Sequence, residues 1–218
     1  MGQIERLIQN YDTRVSLPWE RNLAGPQRVW FAVYNKAEER RLRRRLDEFD
    51  ISTRRAKHGW LTVDLTDSFA LWLSKHDYRD GYFEAPEHLE SQSPTADDFK
   101  EALVQQVTEA LTSSKADESS VVAVYGIASL FGFCRASELV SRVESSIRGR
   151  LLVFFPGEHE NNTYRFLDAR EGWNYQPGDV AGPMRCAAAA FPKGPTRSRQ
   201  ADRTQGGLRD ASFGYDSQ

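Results

Sequence analysis

The sequence predicts an α/β fold: a largely parallel, Rossmann-like three-layer sandwich with an antiparallel edge hairpin and a disordered C-terminal tail. Three observations carry this. Short runs rich in β-formers, RVWFAVY (28–34), WLTVDL (60–65), VVAVYGI (121–127) and LLVFF (151–155), read as strands, the most apolar of them buried on both faces. Between them lie stretches with apolar residues three and four apart, the spacing of one helix face. Only residues 156–163 separate LLVFF from the next strand, Tyr164–Leu167. That is too short for a crossover helix, so this pair is expected to run antiparallel at a sheet edge.

The elements follow in order. Ile4, Leu7, Ile8 and Tyr11 mark an amphipathic helix over 3–15, broken by Leu17-Pro18-Trp19; residues 20–27, with Gly25-Pro26, form a connector. After the first strand, Asn35 caps a helix over Lys36–Asp50 with Leu42, Leu46 and Phe49 on one side. Asp67 caps a helix carrying Phe69, Trp72 and Leu73. Residues 77–98 are acidic and interrupted by Pro86 and Pro94, a loop or short helical excursion. Asp97-Asp98 opens a helix with Phe99, Leu103, Val107 and Leu111, its acids suited to the positive end of the helix dipole. Ala136–Arg148 is a further helix, with Leu139, Val140, Val143 and Ile147 inward, ended by Gly149. The α/β domain spans 1–175. Residues 176–218 lose apolar periodicity, hold six Lys/Arg against four Asp, and are expected to form a disordered tail.

Composition narrows the function. With 29 Lys+Arg against 31 Asp+Glu, the net charge of −2 argues against a generic polyanion binder. No apolar run nears the ~20 residues of a membrane span, and the charged start MGQIERLIQN does not suit a signal peptide, so a cytoplasmic protein without membrane contact is expected. Cys134 and Cys186 are far apart, without metal-ligand spacing, as fits a reducing compartment.

In a parallel sheet, ligands meet the loops at the strands' carboxyl ends. Those ends are Tyr34-Asn35, Asp64–Thr66, Gly126–Ser129 and Pro156–Glu158. The strand–GIASLFGF–helix segment sits where a phosphate loop would. However, Gly126 and Gly132 lack the P-loop spacing, no Lys follows, and Phe131 and Phe133 fill the loop. Glycines for turn geometry, aromatics for packing, and Ser137 or a neighbour for the helix start account for it better than a degenerate nucleotide site. Glu158, His159 and Glu160 offer acid–base or metal-ligand groups, but neighbours on an extended segment point to opposite sides, and an exposed polar hairpin loop is the simpler account. Asp64 is a conceivable magnesium ligand and Asp67 more simply a cap. His58, His76 and His88 are scattered. No catalytic, cofactor or metal site is assigned.

Residues 36–57 hold nine basic and five acidic side chains, and 77–118 hold eleven acidic and three basic. The arginine-rich helix therefore suits an acidic protein partner or, as an alternative, direct DNA contact. Its structural account is a solvated face with pairs such as Glu39–Arg43 and Arg43–Asp47. The candidates for contacting a partner are Arg40, Arg44 and Arg45 on that helix, with Ser129, Arg135, Glu158 and His159 at the strand ends.

The blocks RRLRRRLDEF, HGWLTVDLTDSFALWL, VVAVYGIASLFGFCRASELV and RGRLLVFFPGEHENNTYRFLDAREGWNY together resemble the BrxB family of BREX (bacteriophage exclusion) defence systems, over about residues 3–175. The GIASLFGF…RASEL and LLVFFPGE blocks are the most specific parts. The resemblance implies a small cytoplasmic accessory subunit, not an enzyme, that docks to the PglZ-like, alkaline-phosphatase-family component and possesses DNA contact only indirectly. It supplies no catalytic residues. Such proteins are expected to end soon after the WNY segment, whereas this chain continues into a Gly/Pro/Arg-rich stretch from Pro177, either a lineage-specific tail or a shifted reading frame.

Overall fold

The computed structural model describes residues 2–86, 94–160 and 163–166. Helix α1 (Gln3–Val15) precedes β1 (Val29–Tyr34), and α2 (Glu39–Arg43) and α3 (Leu46–Arg55) lead to β2 (Gly59–Asp64). Next come α4 (Ser68–Ser74), α5 (Arg79–Glu84) and α6 (Pro94–Thr112), then β3 (Ser120–Tyr125), α7 (Ala136–Val143), β4 (Arg150–Glu160) and β5 (Thr163–Phe166). Strands β1 to β4 form an all-parallel sheet in the order β1-β4-β3-β2.

Alternation along the strands builds two cores. Val29 and Phe31 of β1, Val122 and Val124 of β3, and Leu151, Val153 and Phe155 of β4 face α6 and α7. Trp30, Ala32 and Tyr34, Val121 and Ala123, and Leu152 and Phe154 face α1, α2 and α3. The fold is therefore α/β, with helices covering both sheet faces. The β1–β2 connection crosses the sheet in one direction with α2 and α3 on one face. The β2–β3 and β3–β4 connections step back with α6 and α7 on the other. Reversing direction and face together preserves the right-handed crossover.

Aromatic contacts lock α1 to α3. The Tyr11 ring lies 5.1 Å from Phe49, and its hydroxyl is 2.5 Å from Thr53 Oγ1, which donates to the Phe49 carbonyl at 2.7 Å. Phe49 in turn meets Phe154 of β4 edge to face at 4.9 Å.

Three expectations are corrected. The single helix over Lys36–Asp50 is broken at Arg44–Arg45, where Arg45 takes φ −121° and ψ 13°, and the second piece runs on to Arg55. The guanidinium of Arg45 bridges Glu48 at 2.5 Å and Glu5 of α1 at 2.6 Å, a tie that holds the bend. The helix over Ala136–Arg148 stops at Val143 and tightens into a 3-10 turn over Glu144–Ser146. An antiparallel hairpin at the sheet edge is not what the sheet contains. β4 is an interior strand between β1 and β3, and β5 pairs only with Gly157–Glu160, which overhangs the sheet. The rule from loop length gives the direction of a neighbouring strand but not its place in the order. The expected tail, 176–218, and with it Cys186, lies outside the described residues, as do His88 and the WNY segment, Trp173–Tyr175.

Gly149 enters β4 pressed against the chain that starts β3. A Cβ there would run into the Ser120 carbonyl oxygen and stand 2.8 Å from that of Asp117, backbone that cannot swing away. Gly149→Ala is expected to destabilise the fold by about 1–3 kcal/mol in urea unfolding. Gly81→Ala, where a Cβ meets nothing within 4 Å inside α5, is expected to be neutral or slightly stabilising.

Candidate functional site

At the carboxyl edge, β1 feeds α2 on one face while β2 and β3 feed α4 and α7 on the other. β4 stands between β1 and β3 and continues past the sheet to Glu160. This is a switch point, where open parallel sheets form a crevice.

A polar network lies across it. Asn35 accepts the Ala37 N–H at 2.9 Å and starts the turn into α2, which places Glu39 and Arg43 over the strand ends. The Tyr34 hydroxyl donates to Glu39 Oε2, and Arg43 Nε donates to Glu39 Oε1 at 2.7 Å. The Arg43 guanidinium also lies 5.7 Å from the centre of the Tyr125 ring. Asp64, opposite Tyr125 in the register, accepts the Thr66 N–H at 2.9 Å and the Thr66 hydroxyl.

Burial, then Glu39, push the Tyr34 phenol well above its ordinary pKa. Burial and Asp64 raise that of Tyr125, with Arg43 pulling the other way. For Arg43, burial works against the charge, but Glu39, Asp64 and Tyr34 override it and its pKa is raised. The network thus holds protonated phenols and a satisfied cation, an arrangement that fixes α2 on the sheet. Only the Glu39–Arg43 pair was legible in the sequence, from its four-residue spacing. Tyr34, Asp64 and Tyr125 meet through strand order. The expected Arg43–Asp47 partner is displaced because the helix breaks after Arg43.

The candidate contact residues separate. Arg40 and Arg44 are exposed and make no ion pair among the described residues. Arg45 is committed to Glu5 and Glu48, so it is a structural tie and not a free contact. The Ser129 hydroxyl contacts the carbonyls of Leu65 at 2.8 Å and Gly126 at 2.7 Å, binding the loop after β3 to the loop after β2. It too is occupied. Arg135 is exposed and is itself the N-cap residue of α7, the place expected for Ser137 or a neighbour, and its side chain makes no cap. Asp67 stands at the start of α4 without a side-chain cap bond. Glu158 and His159 lie on the β4 overhang, and their side chains fall outside the described residues. The 127–130 turn packs against β4, so the loops after β3 and β4 are neighbours.

The GIASLFGF segment is shaped by close packing. Gly126 has φ +80°, and a Cβ there would stand 2.6 Å from the Thr66 nitrogen, so only glycine fits. Phe133 stacks on Phe69 at 4.3 Å, as a packing role requires, but Phe131 is 46% exposed. Cys134 is buried, and burial pushes its thiol up to about 11, so it packs as a small apolar side chain. Among the described residues no three His, Cys, Asp or Glu gather as a metal site, and no helix is long and apolar enough to cross a membrane.

The same segment opens an aromatic run that sequence reading missed. From Phe99 and Phe133 it passes through Phe69 and Trp72 to His76, whose ring lies 5.1 Å from Tyr82 and 6.1 Å from Tyr78. It ends on the surface of the α4–α5 excursion, where Tyr78 and Phe83 are each 73% exposed and Leu71 is 59% exposed. The available signal was the density of aromatic residues in a stretch otherwise read as an acidic loop.

Tyr34 and Tyr11 give a pH prediction. Burial is the first cause of the raised phenol pKa in both. Unfolded phenols ionise near pH 10, while the folded protein keeps these two protons, so above that pH the folded state binds more protons than the unfolded. The stability they contribute is present below pH ~10 and lost as pH rises beyond it, by up to about 1.4 kcal/mol per pH unit for each group. Urea midpoints between pH 9 and 11 should fall for the wild type and fall less steeply for Tyr11→Phe/Tyr34→Phe. In comparisons with known proteins, no protein-family model, no curated protein and no solved structure matches this chain.

Proposed function

We propose that this chain is a non-catalytic accessory subunit of a BREX-type phage-defence assembly. In this reading it docks to the PglZ-like, alkaline-phosphatase-family component through the carboxyl edge of its sheet, in the cytoplasm. The choice of partner rests on the sequence resemblance to BrxB proteins. The observation that carries docking is the aromatic outcrop: Tyr78 is exposed at the end of an aromatic run rooted in the core, and Leu71 and Phe83 are exposed on the adjoining helices. Large exposed aromatic side chains have the character of interface anchors, since they bury much apolar area with few rotatable bonds to order.

Arg40 and Arg44 extend the same edge. They follow β1 and the outcrop follows β2, three strand spacings along the sheet and on its opposite face. An acidic patch on the partner would meet the arginines while an apolar pocket takes Tyr78 and Phe83.

Direct DNA contact is the second reading, and the lack of ion pairs at Arg40 and Arg44 is what favours it. Magnitude decides against it as the main role. Arg41, Arg43, Arg45, Arg54 and Arg55 are all paired with carboxylates of the chain itself. Two phosphate contacts give a logarithmic salt slope of only about −2, far from the six to ten contacts of a tight binder.

The adaptor reading is tested by mixing purified chain with the PglZ-like protein of a BREX locus and measuring Kd. A complex at micromolar concentration or tighter is expected. Tyr78→Ser/Phe83→Ser, with unchanged circular dichroism, is expected to weaken it at least tenfold, by about 1.4 kcal/mol or more. Two proteins that elute separately at micromolar concentration would remove the reading.

A further inference from the structure

The amino ends of the strands enclose a cleft of about 680 Å3. Its walls come from the connector before β1, from His58 before β2, from Glu118 and Ser119 before β3, and from Ser145–Arg150 before β4. This is the volume of a pocket for a small molecule of nucleotide size.

The lining is a crowd of cations whose partners are neutral. Arg150 is only 5% exposed; its Nη1 donates to the Gly149 carbonyl at 3.0 Å and its Nη2 to the Glu20 carbonyl at 2.9 Å. Its guanidinium lies 4.8 Å from the Trp19 ring centre. Arg28 donates to the carbonyls of Leu23, Ile147, Arg148 and Arg21. Arg148 donates to those of Ala116 and Thr112, both at 3.2 Å. None of the three makes an ion pair among the described residues. The carboxylates on the lining belong to Glu20 and Glu118, both on exposed residues.

Carbonyl oxygens satisfy the geometry of these donors without cancelling their charge. The end of α6 offsets about half a charge near Arg148. Burial, then Arg28 and Arg14, hold the Arg150 pKa below the ordinary arginine value, with the exposed Glu20 carboxylate only partly opposing them. Trp19, which carries the Arg150 guanidinium on its ring, stacks on His58 at 3.7 Å. A buried cation held only by neutral carbonyl groups is costly, and an anion entering the cleft would offset that cost.

We propose that this cleft binds the phosphoryl group of a small phosphorylated ligand. A phosphoryl dianion offers several acceptor oxygens and two charges, drawn by the guanidinium charges and by the N–H groups that the carbonyl partners leave free. A lone carboxylate would compensate one cation and leave the others. The site is at the opposite end of the sheet from the docking surface and does not depend on that reading.

The test is isothermal titration of the full-length chain with inorganic phosphate and with pyrophosphate at fixed ionic strength, alongside thermal unfolding. Saturable binding is expected, with a rise in Tm that grows with ligand concentration. Arg148→Gln is expected to weaken it about tenfold, and Arg54→Gln, on the exposed face of α3 and paired with Asp50, to leave it unchanged. Should Arg148→Gln not fold, Arg21→Gln at the exposed rim is expected to weaken binding in the same direction. Three results would overturn the proposal. One is no saturable heat with either probe. Another is equal binding by the cleft variants and the wild type. The third is citrate, or a single-stranded oligonucleotide, binding as well as pyrophosphate does, which would assign the cleft to carboxylates or to nucleic acid.

Discussion

The burial of β4 on both faces governs this structure. Leu152 and Phe154 point into one core and Leu151, Val153 and Phe155 into the other, and all five are essentially shielded from water. A strand apolar on both sides can only sit inside a sheet that is itself covered twice, so β1 and β3 must flank it and helices must close both faces. Parallel pairing then forces every connection to cross from one end of the sheet to the other. The two ends of the sheet become chemically different as a result. The carboxyl end receives loops that leave for α2, α4 and α7, and the amino end receives loops that return.

The strands and most of the helices could be read from the sequence because each is specified locally. RVWFAVY and LLVFF contain enough apolar β-formers to name themselves, and Phe99, Leu103, Val107 and Leu111 mark one face of α6 by spacing alone. What could not be read depends on residues distant in sequence. The bend at Arg44–Arg45 is held through Glu5, forty residues away on α1. The interior place of β4 follows from the two cores and not from the short connection that follows it. Arg45 and Ser129 had the composition of contact residues, yet the folded chain uses both internally, since a side chain's availability is decided by its neighbours in space.

The same limit hid the amino-end cleft. Arg28, Arg148 and Arg150 come from the approaches to β1 and β4, strands that pair with each other although more than a hundred residues separate them. In the sequence they are ordinary arginines. In the fold they share one depression and hold together the returning loops by bonding carbonyl groups. This explains why the basic segment 36–57, far richer in arginine, is the less charged place in practice: there Glu5, Asp12, Glu39, Glu48 and Asp50 meet most of the cations.

Charge density in a sequence window is therefore a poor guide to where a protein is electrostatically unsatisfied. Cations on a helix surface find carboxylates at three- and four-residue spacing, and in water those pairs are worth little and ask for nothing more. Cations at the foot of a parallel sheet face strand starts and helix ends, where the local backbone offers carbonyl oxygens and few carboxylates. Desolvation makes a missing countercharge costly at Arg150, the buried member of the group. The carboxyl end reverses the balance: Arg43 is satisfied by Glu39, the phenols of Tyr34 and Tyr125 keep their protons, and the exposed features are Tyr78, Phe83 and two arginines. One end of the sheet is thus suited to a broad apolar contact with charged margins, and the other to a compact anion. The division follows from where this chain places its arginines and aromatics, against the usual preference of anions for the helix N-termini at a parallel sheet's carboxyl end.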